Sequence, residues 1–346
     1  MRIAIFETEQ WEDAACRRLA HEQELVCFSE PLDSHISAPD AEVISPFVYS
    51  RLTADVLARF PRLRLVATRS SGFDHIDMDY CAAHGITVCN VPDYGDSTVA
   101  EHVFTLLLGL ARHLVEAAER TRHGLFNQTG LRGFELHDRV LGVVGTGRIG
   151  RRVIQIAHGF GMAVIATDPH PDHAAARAMG FRYASLDETL AAADVLTLHT
   201  PAAPDTVHLI SDRELALMKP DAVLINTARG HIVDVAALVR TLAVGRLRAV
   251  GLDVLPEEPA IREEAAIFRD PAPKYDMATL VADHALLAFP NVLVTPHNAY
   301  NTDEALHRLI DATIDNIDAF TRGEPRNVVS AEVSIPSPGP QPFSAK

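Results

Sequence analysis

The chain has 346 residues, of which 47% are hydrophobic and 22% charged, and its formal net charge at pH 7 is −15. This length is too great for one ordinary hydrophobic core and predicts two domains, while the composition is typical of globular proteins in water. The acidic charge argues against nucleic acid or an anionic membrane surface as a partner. A site for an anion must therefore supply its own local cation.

Metal binding and membrane insertion have no support in the sequence. Cys16, Cys27, Cys81 and Cys89 form no C-x-x-C pair, and no Cys/His cluster has the spacing of metal ligands. We expect reduced, mostly buried thiols in a cytoplasmic protein without a metal. The first residues, MRIAIFETEQ, lack the apolar core of a signal peptide, and no apolar run is long enough to span a bilayer.

Strands and helices alternate from residue 2 to residue 90. The pattern predicts strands at 2–6, 24–28, 41–45, 65–69 and 87–90, with helices at 12–21, 52–59 and 80–84. Such alternation indicates an α/β domain with a mostly parallel sheet. Ser70-Ser71-Gly72 follows the fourth strand, at the end where open α/β sheets bind ligands. Its backbone N–H groups could hold a carboxylate, or the segment could be an ordinary loop.

A long apolar helix is predicted over 98–122, followed by an irregular, glycine-rich stretch at 124–135. Its core-facing side chains are predicted to be Ala100, Val103, Leu106, Leu107, Leu110 and Leu114. This apolar content is high for a surface helix. The helix could therefore pack between the domains or against a second subunit.

The segment from Val140 to Asp168 contains a strand, a turn, a helix and a second strand in succession. The apolar runs at 140–144 and 162–167 predict buried strands, and 151–158 has the apolar spacing of a helix. Between them lies the G-x-G-x-x-G turn Gly145-Thr146-Gly147-Arg148-Ile149-Gly150. A glycine turn between a strand and a helix is typical of dinucleotide binding.

Each glycine of this turn has a separate role. Gly145 permits the tight turn, Gly147 lets a pyrophosphate approach the backbone, and Gly150 lets the helix pack against the strand. The free N–H groups at the start of the helix, at Arg148 and Ile149, then face the pyrophosphate.

Asp168 closes the second strand, where an acid can accept hydrogen bonds from the ribose hydroxyls. It would also repel the extra phosphate of NADP, so we predict NAD as the cofactor. Arg177 and the nearby histidines argue against this preference for NAD over NADP.

The second half of the chain continues the alternation and places polar residues at the ends of strands. Strands are predicted at 195–199, 223–226, 249–254 and 292–295, with helices at 186–192 and 236–244. Residues at or just after these strand ends are Thr200, Pro201, Thr227, Arg229, Asp253 and His297. A doubly wound sheet gathers such ends at one edge, around the nucleotide.

Three further segments complete the chain. Residues 260–282 are predicted to be an acidic surface insertion, and 302–322 an amphipathic helix that returns to the first domain. Residues 331–346, with four prolines, are predicted to be a disordered tail or tag remnant.

Hydride transfer to a 2-keto acid needs a carboxylate anchor, a proton donor and a group that sets the pKa of that donor. Arg229 can grip a carboxylate through two hydrogen bonds, or it could form a surface ion pair. His297 can donate the proton, or it could be a structural histidine. Glu258 can favour the protonated imidazole, with Glu257 as a rival. Asp253 is predicted to support Arg229 or the nicotinamide amide.

Six segments, in order, resemble the NAD-dependent D-2-hydroxyacid dehydrogenases, and within them the D-lactate dehydrogenase branch. They are 68–77, 90–102, 142–150, 226–234, 251–258 and 290–305, and the likeness extends from residue 2 to residue 329. The family's catalytic motif matches Arg229, Asp253, Glu258 and His297, which favours Glu258 over Glu257.

The resemblance also implies ligand contacts. Gly72 would bind the substrate carboxylate through its backbone, and Tyr94 and Tyr300 would line the substrate pocket. Thr200-Pro201 and Thr227 would contact NAD. The substrate would be a small anionic 2-keto or 2-hydroxy acid of D configuration, and the protein a homodimer.

We therefore predict an α/β protein with two Rossmann-like doubly wound domains. The NAD-binding Rossmann domain (98–296) is inserted into a flavodoxin-like substrate domain (1–97 plus 297–330). The predicted activity is NAD-dependent reduction of a small 2-keto acid to the D-2-hydroxy acid. The alternatives are a glyoxylate/hydroxypyruvate reductase, a phosphoglycerate dehydrogenase-type enzyme, or a non-enzymatic NAD(H)-sensing protein.

Two departures from the lactate-type pattern concern the substrate side chain. Residues 298–301, Asn-Ala-Tyr-Asn, differ from the commonest lactate-type sequence after the histidine, and Leu255-Pro256 stands where a tyrosine is usual.

Overall fold

The computed structural model describes residues 1–19, 23–32, 38–256, 258 and 276–330. The chain divides into two compact units: the first unit is Met1–Gly95 with Thr302–Lys346, and the second unit is Asp96–Asn301. His297 and Tyr300 belong to the second unit, whereas the sequence analysis places the boundary after residue 296. Outside the described residues lie Glu257, the insertion up to residue 275 and the tail 331–346.

The strands of the described residues are short and mostly apolar. In chain order they are β1 (Arg2–Ile5), β2 (Glu24–Cys27), β3 (Val43–Ser45), β4 (Leu65–Ala67), β5 (Thr87–Cys89), β6 (Val140–Val144), β7 (Ala163–Thr167), β8 (Arg182–Tyr183), β9 (Val195–Leu198), β10 (Val223–Asn226), β11 (Ala249–Leu252), β12 (Val292–Val294) and β13 (Val328–Val329).

The helices alternate with these strands. They are α1 (Asp13–Cys16), α2 (Ala54–Leu57), α3 (Met78–Ala83), α4 (Asp96–Ala111), α5 (Leu114–Arg122), α6 (Arg148–Gly159), α7 (His173–Met179), α8 (Leu186–Ala192), α9 (Asp212–Leu217), α10 (Val235–Ala243), α11 (Met277–Leu287) and α12 (Asp303–Thr321).

The first unit is built on a sheet with the strand order β13-β5-β4-β3-β1-β2. Strands β1 to β5 are parallel, and β13 pairs with β5 in the antiparallel direction. The order 2-1-3-4-5 is the flavodoxin-like arrangement. Apolar side chains cover both faces: Ile44 and Val66 belong to one buried cluster, while Val43 and Leu65 pack with α12 in another.

The second unit is built on a parallel sheet with the order β12-β11-β10-β9-β6-β7-β8. Counted within the unit, this is the Rossmann order with one added strand, and the order reverses between β6 and β9. Val223 and Ile225 of β10 enter one buried cluster and Leu224 enters the other, because successive side chains of a strand point to opposite faces. The predicted fold class is confirmed.

The predicted helix over 98–122 is wrong as a single element, because it breaks between α4 and α5 with a bend of 61°. His113 at the break has a φ of 50°. The N–H of Phe134 donates to the carbonyl of Ala111 at 3.1 Å, and Gly133 packs against the same carbonyl. A returning loop therefore takes the hydrogen-bond acceptor at the end of α4.

The end of the predicted surface insertion also needs correction. Residues from 277 onward form α11, which begins at the N-cap Asp276 and buries Leu280 and Leu286. The apolar face of this helix packs on the core of the second unit.

No single helix in the described part of the chain is long and apolar enough to cross a membrane. The bent pair α4 and α5 meets the length and composition criteria only when the two are joined. The described residues contain no group of three or more His, Cys, Asp or Glu side chains that could hold a metal ion.

Candidate active site

The turn between β6 and α6 is shaped by its three glycines. Gly145 has a φ of 93°, and a Cβ there would lie 2.7 Å from the carbonyl oxygen of His199. A Cβ on Gly150 would overlap the carbonyl of Gly145, so the helix can approach the strand only without a side chain. A Cβ on Gly147 would meet no atom within 4 Å, and this residue is the N-cap of α6. The open backbone at the helix start fits an approaching pyrophosphate.

Asp168, the first residue after β7, is held by the glycine turn. Its Oδ2 accepts hydrogen bonds from Thr146 N at 2.7 Å and Thr146 Oγ1 at 2.9 Å, and its Oδ1 accepts from His170 N at 2.9 Å. Burial alone would raise the pKa of Asp168, but these hydrogen bonds bring it below its ordinary value. The acid is therefore an ionised, oriented acceptor.

Two hydroxyl groups at the carboxyl ends of β9 and β10 fit a bound ligand. Thr200 Oγ1 and Thr227 Oγ1 are buried and have no hydrogen-bond partner in the described residues. A buried hydroxyl without a partner is costly, so a ligand that supplies partners suits this edge. Pro201 is the next residue after Thr200. The neighbouring His199 contacts Thr197 Oγ1 at 2.9 Å, and burial lowers the pKa of its imidazole to about 3.

Arg229 lies on a tight turn after β10. Asn226 Nδ2 donates to Arg229 O at 2.9 Å, and Asn226 Oδ1 accepts from Ala228 N at 3.0 Å. The Arg229 Nη1 donates to Ala228 O at 2.9 Å. Gly230 packs so tightly against the backbone of 255–256 that a Cβ would overlap it. The turn that carries Arg229 is therefore in direct contact with the segment after β11.

His297 and Glu258 form a hydrogen-bonded pair. The distance from His297 Nδ1 to Glu258 Oε2 is 2.8 Å, and the two side chains are 36% and 30% exposed. The other carboxylate oxygen of Glu258 accepts from Leu255 N at 3.0 Å. His297 has a φ of 51°, a conformation uncommon for a residue with a side chain. The imidazole therefore has a fixed carboxylate partner and leaves Nε2 for other contacts.

The strand register places Arg229 and His297 at one edge of the sheet. Asn226 is opposite Leu252, and Leu252 is opposite Val294. Arg229 comes three residues after the first of these strands ends, and His297 three residues after the last. The strands β10 and β12 are two spacings apart, which is about 10 Å.

Asp253 is a fully buried carboxylate that holds the backbone around His297. Its donors are Thr295 Oγ1 at 2.6 Å, Asn298 N at 3.0 Å and Ala299 N at 2.9 Å, and His102 Nε2 lies 3.4 Å from it. Burial would raise the pKa of Asp253, but hydrogen bonds from His102, Thr295 and Ala299 lower it below the ordinary value. The contacts of Asp253 are thus with the 295–299 segment and His102, and its predicted support of Arg229 or the nicotinamide amide stays a prediction.

The predicted substrate residues are distributed over both units. In the first unit, Gly72 O accepts from Ser70 Oγ at 2.6 Å, and the side chain of Tyr94 is 8% exposed. The carbonyl of Tyr94 accepts two hydrogen bonds from the Arg308 guanidinium, at 3.0 and 2.8 Å. Tyr300 belongs to the second unit and is half-buried.

Comparison with known proteins identifies the family. The family model "D-isomer specific 2-hydroxyacid dehydrogenase, NAD binding domain" matches residues 104–299. The chain belongs to the D-isomer-specific 2-hydroxyacid dehydrogenases. The resemblance noted in the sequence is confirmed, and so are NAD as cofactor and an NAD-dependent oxidoreductase as the class of enzyme.

Individual relatives cover this D-2-hydroxyacid dehydrogenase over nearly its whole length. A 2-hydroxyacid dehydrogenase homolog of Zymomonas mobilis is 35% identical, over 94% of this chain and 98% of its own. A glyoxylate reductase of Aeropyrum pernix is 37% identical, over 87% of each chain. A D-lactate dehydrogenase from Aquifex aeolicus, solved with NAD and lactic acid, has a TM-score of 0.84 and 35% identity, covering 93% of this chain and 96% of its own.

Several residues around the dehydrogenase site were not singled out from the sequence. His102 and Thr295 contact Asp253, and Tyr183 contacts Thr146 next to Asp168. His102 lies on α4, far along the chain from β11, so no local pattern connects it with Asp253. Tyr183 has the local pattern of an edge strand and nothing that indicates a ligand.

Proposed function

We propose that this dehydrogenase reduces a small 2-keto acid of pyruvate type to the D-2-hydroxy acid. The observation that carries the proposal is the 2.8 Å pair of His297 with Glu258, at the same edge of the second unit as Arg229 and the glycine turn. An NAD(H)-sensing protein would need no carboxylate-paired imidazole there. The D-lactate dehydrogenase from Aquifex aeolicus supports a lactate-sized substrate by its similarity over almost the entire chain.

The cofactor, when bound, supplies the hydride that reduces the carbonyl carbon; Gly145, Gly147, Arg148, Ile149 and Gly150 would hold its pyrophosphate. Asp168 would accept the ribose hydroxyls. Further contacts to it would come from Thr200, Pro201 and Thr227.

Arg229 and His297 would have separate roles toward the substrate. The Arg229 guanidinium would bind the carboxylate through two N–H groups and polarise the neighbouring carbonyl. His297 donates Nδ1–H to Glu258, so the proton that reaches the carbonyl oxygen comes from Nε2. Glu258 stabilises the imidazolium before transfer. In the oxidative direction His297 accepts the proton.

We assign the remaining predicted contacts on the basis of the resemblance. Gly72 would bind the substrate carboxylate through its backbone, and Tyr94 and Tyr300 would contact the substrate side chain. Asp253 would act indirectly, because its hydrogen bonds to the 295–299 segment fix the strained backbone of His297.

A panel of 2-keto acids tests this function. NADH oxidation should be fastest, in kcat/KM, with pyruvate, slower with glyoxylate and hydroxypyruvate, and slowest with 3-phosphohydroxypyruvate. Chiral chromatography of the product should show the D isomer. A highest kcat/KM for glyoxylate would instead assign the chain the substrate named for the Aeropyrum relative, and failure with every keto acid would exclude the proposed enzyme.

We also propose that the chain is a homodimer formed through α5 and the residues after it. This segment buries none of its side chains and exposes Leu114 (62%), Val115 (49%), Leu125 (55%) and Phe126 (93%). Such a concentration of exposed apolar side chains is unusual for a monomer and typical of an interface. The four free cysteines fit a reducing, cytoplasmic location.

Light scattering after size exclusion tests the dimer. The wild-type chain should have twice the mass of one chain, and the double variant Leu114→Glu, Phe126→Glu should have the mass of one. Val244→Glu, at another highly exposed apolar position of the same unit, should remain a dimer. A wild-type mass equal to one chain at micromolar concentration would contradict this assignment.

A further inference from the structure

The hydroxyl of Tyr183 joins the edge strand β8 to the glycine turn. It lies 2.7 Å from Thr146 Oγ1 and accepts a hydrogen bond from Asp172 N at 3.2 Å. The ring is fixed by edge-on contacts with Phe181 and His173, with centroids 5.1 and 5.6 Å away. Tyr183 pairs with Ala166 in the β7–β8 ladder, two residues before Asp168. The phenol therefore has a defined position beside the acid of the nucleotide site.

Proton counting gives this network one direction. Thr146 has a single hydroxyl proton, which goes to the Asp168 carboxylate at 2.9 Å, since a carboxylate has no proton to offer. Tyr183 must then donate to Thr146 Oγ1 and accept from Asp172 N. The chain runs from the Asp172 N–H through the Tyr183 and Thr146 hydroxyls to Asp168 Oδ2. Hydrogen bonds aligned in this way strengthen one another.

The same network engages a nearby cation. Arg151 Nε donates to Thr146 O at 2.9 Å, and Arg151 Nη2 donates to Asp172 Oδ2 at 3.1 Å. Thr146 is thereby held at its N–H, its carbonyl and its hydroxyl, all by side chains. The guanidinium of Arg151, which would otherwise favour a phosphate on the ribose, is directed to a carboxylate and a carbonyl.

We propose that Tyr183 is a positioning residue for cofactor specificity. Through Thr146 it fixes the Asp168 carboxylate in the orientation that accepts the 2′-hydroxyl of NAD(H) and repels the 2′-phosphate of NADP(H). Without the phenol hydroxyl, Thr146 loses its donor and the carboxylate loses an aligned partner. The acid then discriminates less sharply between the two dinucleotides. This inference requires only dinucleotide binding and is independent of which keto acid is reduced.

Fluorescence titration of the substrate-free protein with NADH and with NADPH tests the proposal. In Tyr183→Phe the Kd for NADH should rise by about three- to tenfold, the loss expected for one hydrogen bond in an ordered network. The Kd for NADPH should stay constant or fall, so that the ratio of the Kd for NADPH to the Kd for NADH falls by at least the same factor. Tyr80→Phe, a tyrosine of the first unit stacked on His84, should leave both constants unchanged.

Variants of Thr146 test whether Tyr183 acts on cofactor specificity through the Thr146 hydroxyl. Thr146→Val should lower the ratio of Kd values as Tyr183→Phe does, and Thr146→Ser, which keeps the hydroxyl, should preserve it. In the Thr146→Val background, Tyr183→Phe should add less than a further factor of about two, because the link is already broken. Equal rises of both Kd values, an unchanged ratio, or fully additive effects in the double variant would each overturn the proposal.

Discussion

Replacing His297 with alanine is expected to lower kcat for 2-keto acid reduction by about 10²- to 10⁴-fold, which is the usual contribution of a positioned general acid. The Kd for NADH should be unchanged, because the glycine turn and Asp168 are carried by other strands. Stopped-flow reduction and NADH fluorescence titration measure the two quantities separately. A kinetic isotope effect, measured by comparing NADH with deuterated NADH, shows whether hydride transfer has become rate-limiting in the variant.

Glu258→Gln is the informative partner variant. Glu258 Oε2 lies 2.8 Å from His297 Nδ1, and the side-chain oxygen of a glutamine could still accept that hydrogen bond. The variant lacks the negative charge that stabilises the imidazolium. We therefore expect a loss smaller than that of His297→Ala, about 10- to 100-fold. His284→Ala, at an exposed position of α11, is the control and should match wild type. Retention of most of the wild-type kcat by His297→Ala would remove this histidine from the reaction.

His199, at the end of β9, is not a rival proton donor to His297, because burial lowers its pKa to about 3 and keeps its imidazole neutral.

The residues at the strand ends could be predicted from the sequence because the carboxyl ends of parallel strands lie at one edge of a sheet. Gly145, Asp168, Arg229 and His297 each follow a recognisable apolar run, and the sheet orders of both units are those expected of doubly wound folds. The choice of Glu258 over Glu257 depended on family resemblance, since spacing alone favours neither.

The contacts that the sequence did not reveal are set by distant segments of the chain. Asp253 and His102 meet because α4 packs against the sheet, so the support of the His297 backbone by Asp253 has no local signal. The break after Ala111 has the same origin: Phe134 takes the carbonyl that would continue the helix. Local helix propensity could not anticipate that competitor.

Arg229→Gln is expected to lower kcat/KM for a 2-keto acid by about 10²- to 10⁴-fold, because two charge-assisted hydrogen bonds are each worth about 1.5–3 kcal/mol. Arg229→Lys keeps the charge but not the planar fork, and should recover only part of the loss. Steady-state kinetics with varied keto acid measure both variants. Arg240→Gln, which removes an exposed ion pair with Asp212 in the same unit, is the control and should be neutral.

An ester of the substrate distinguishes binding of the carboxylate by Arg229 from a merely structural role of Arg229 in its turn. Methyl pyruvate has no carboxylate for the guanidinium to bind, so Arg229→Gln should lower kcat/KM much less for the ester than for pyruvate, and the smaller loss with the ester measures polarisation of the carbonyl. A variant that merely disturbed the turn after β10 would lose activity with ester and acid alike, since His297 belongs to the same edge of the sheet. Added guanidinium ion should partly restore pyruvate reduction in Arg229→Ala, because it returns the planar donor to the space the side chain leaves. Equal losses for acid and ester would show that Arg229 is not the carboxylate anchor.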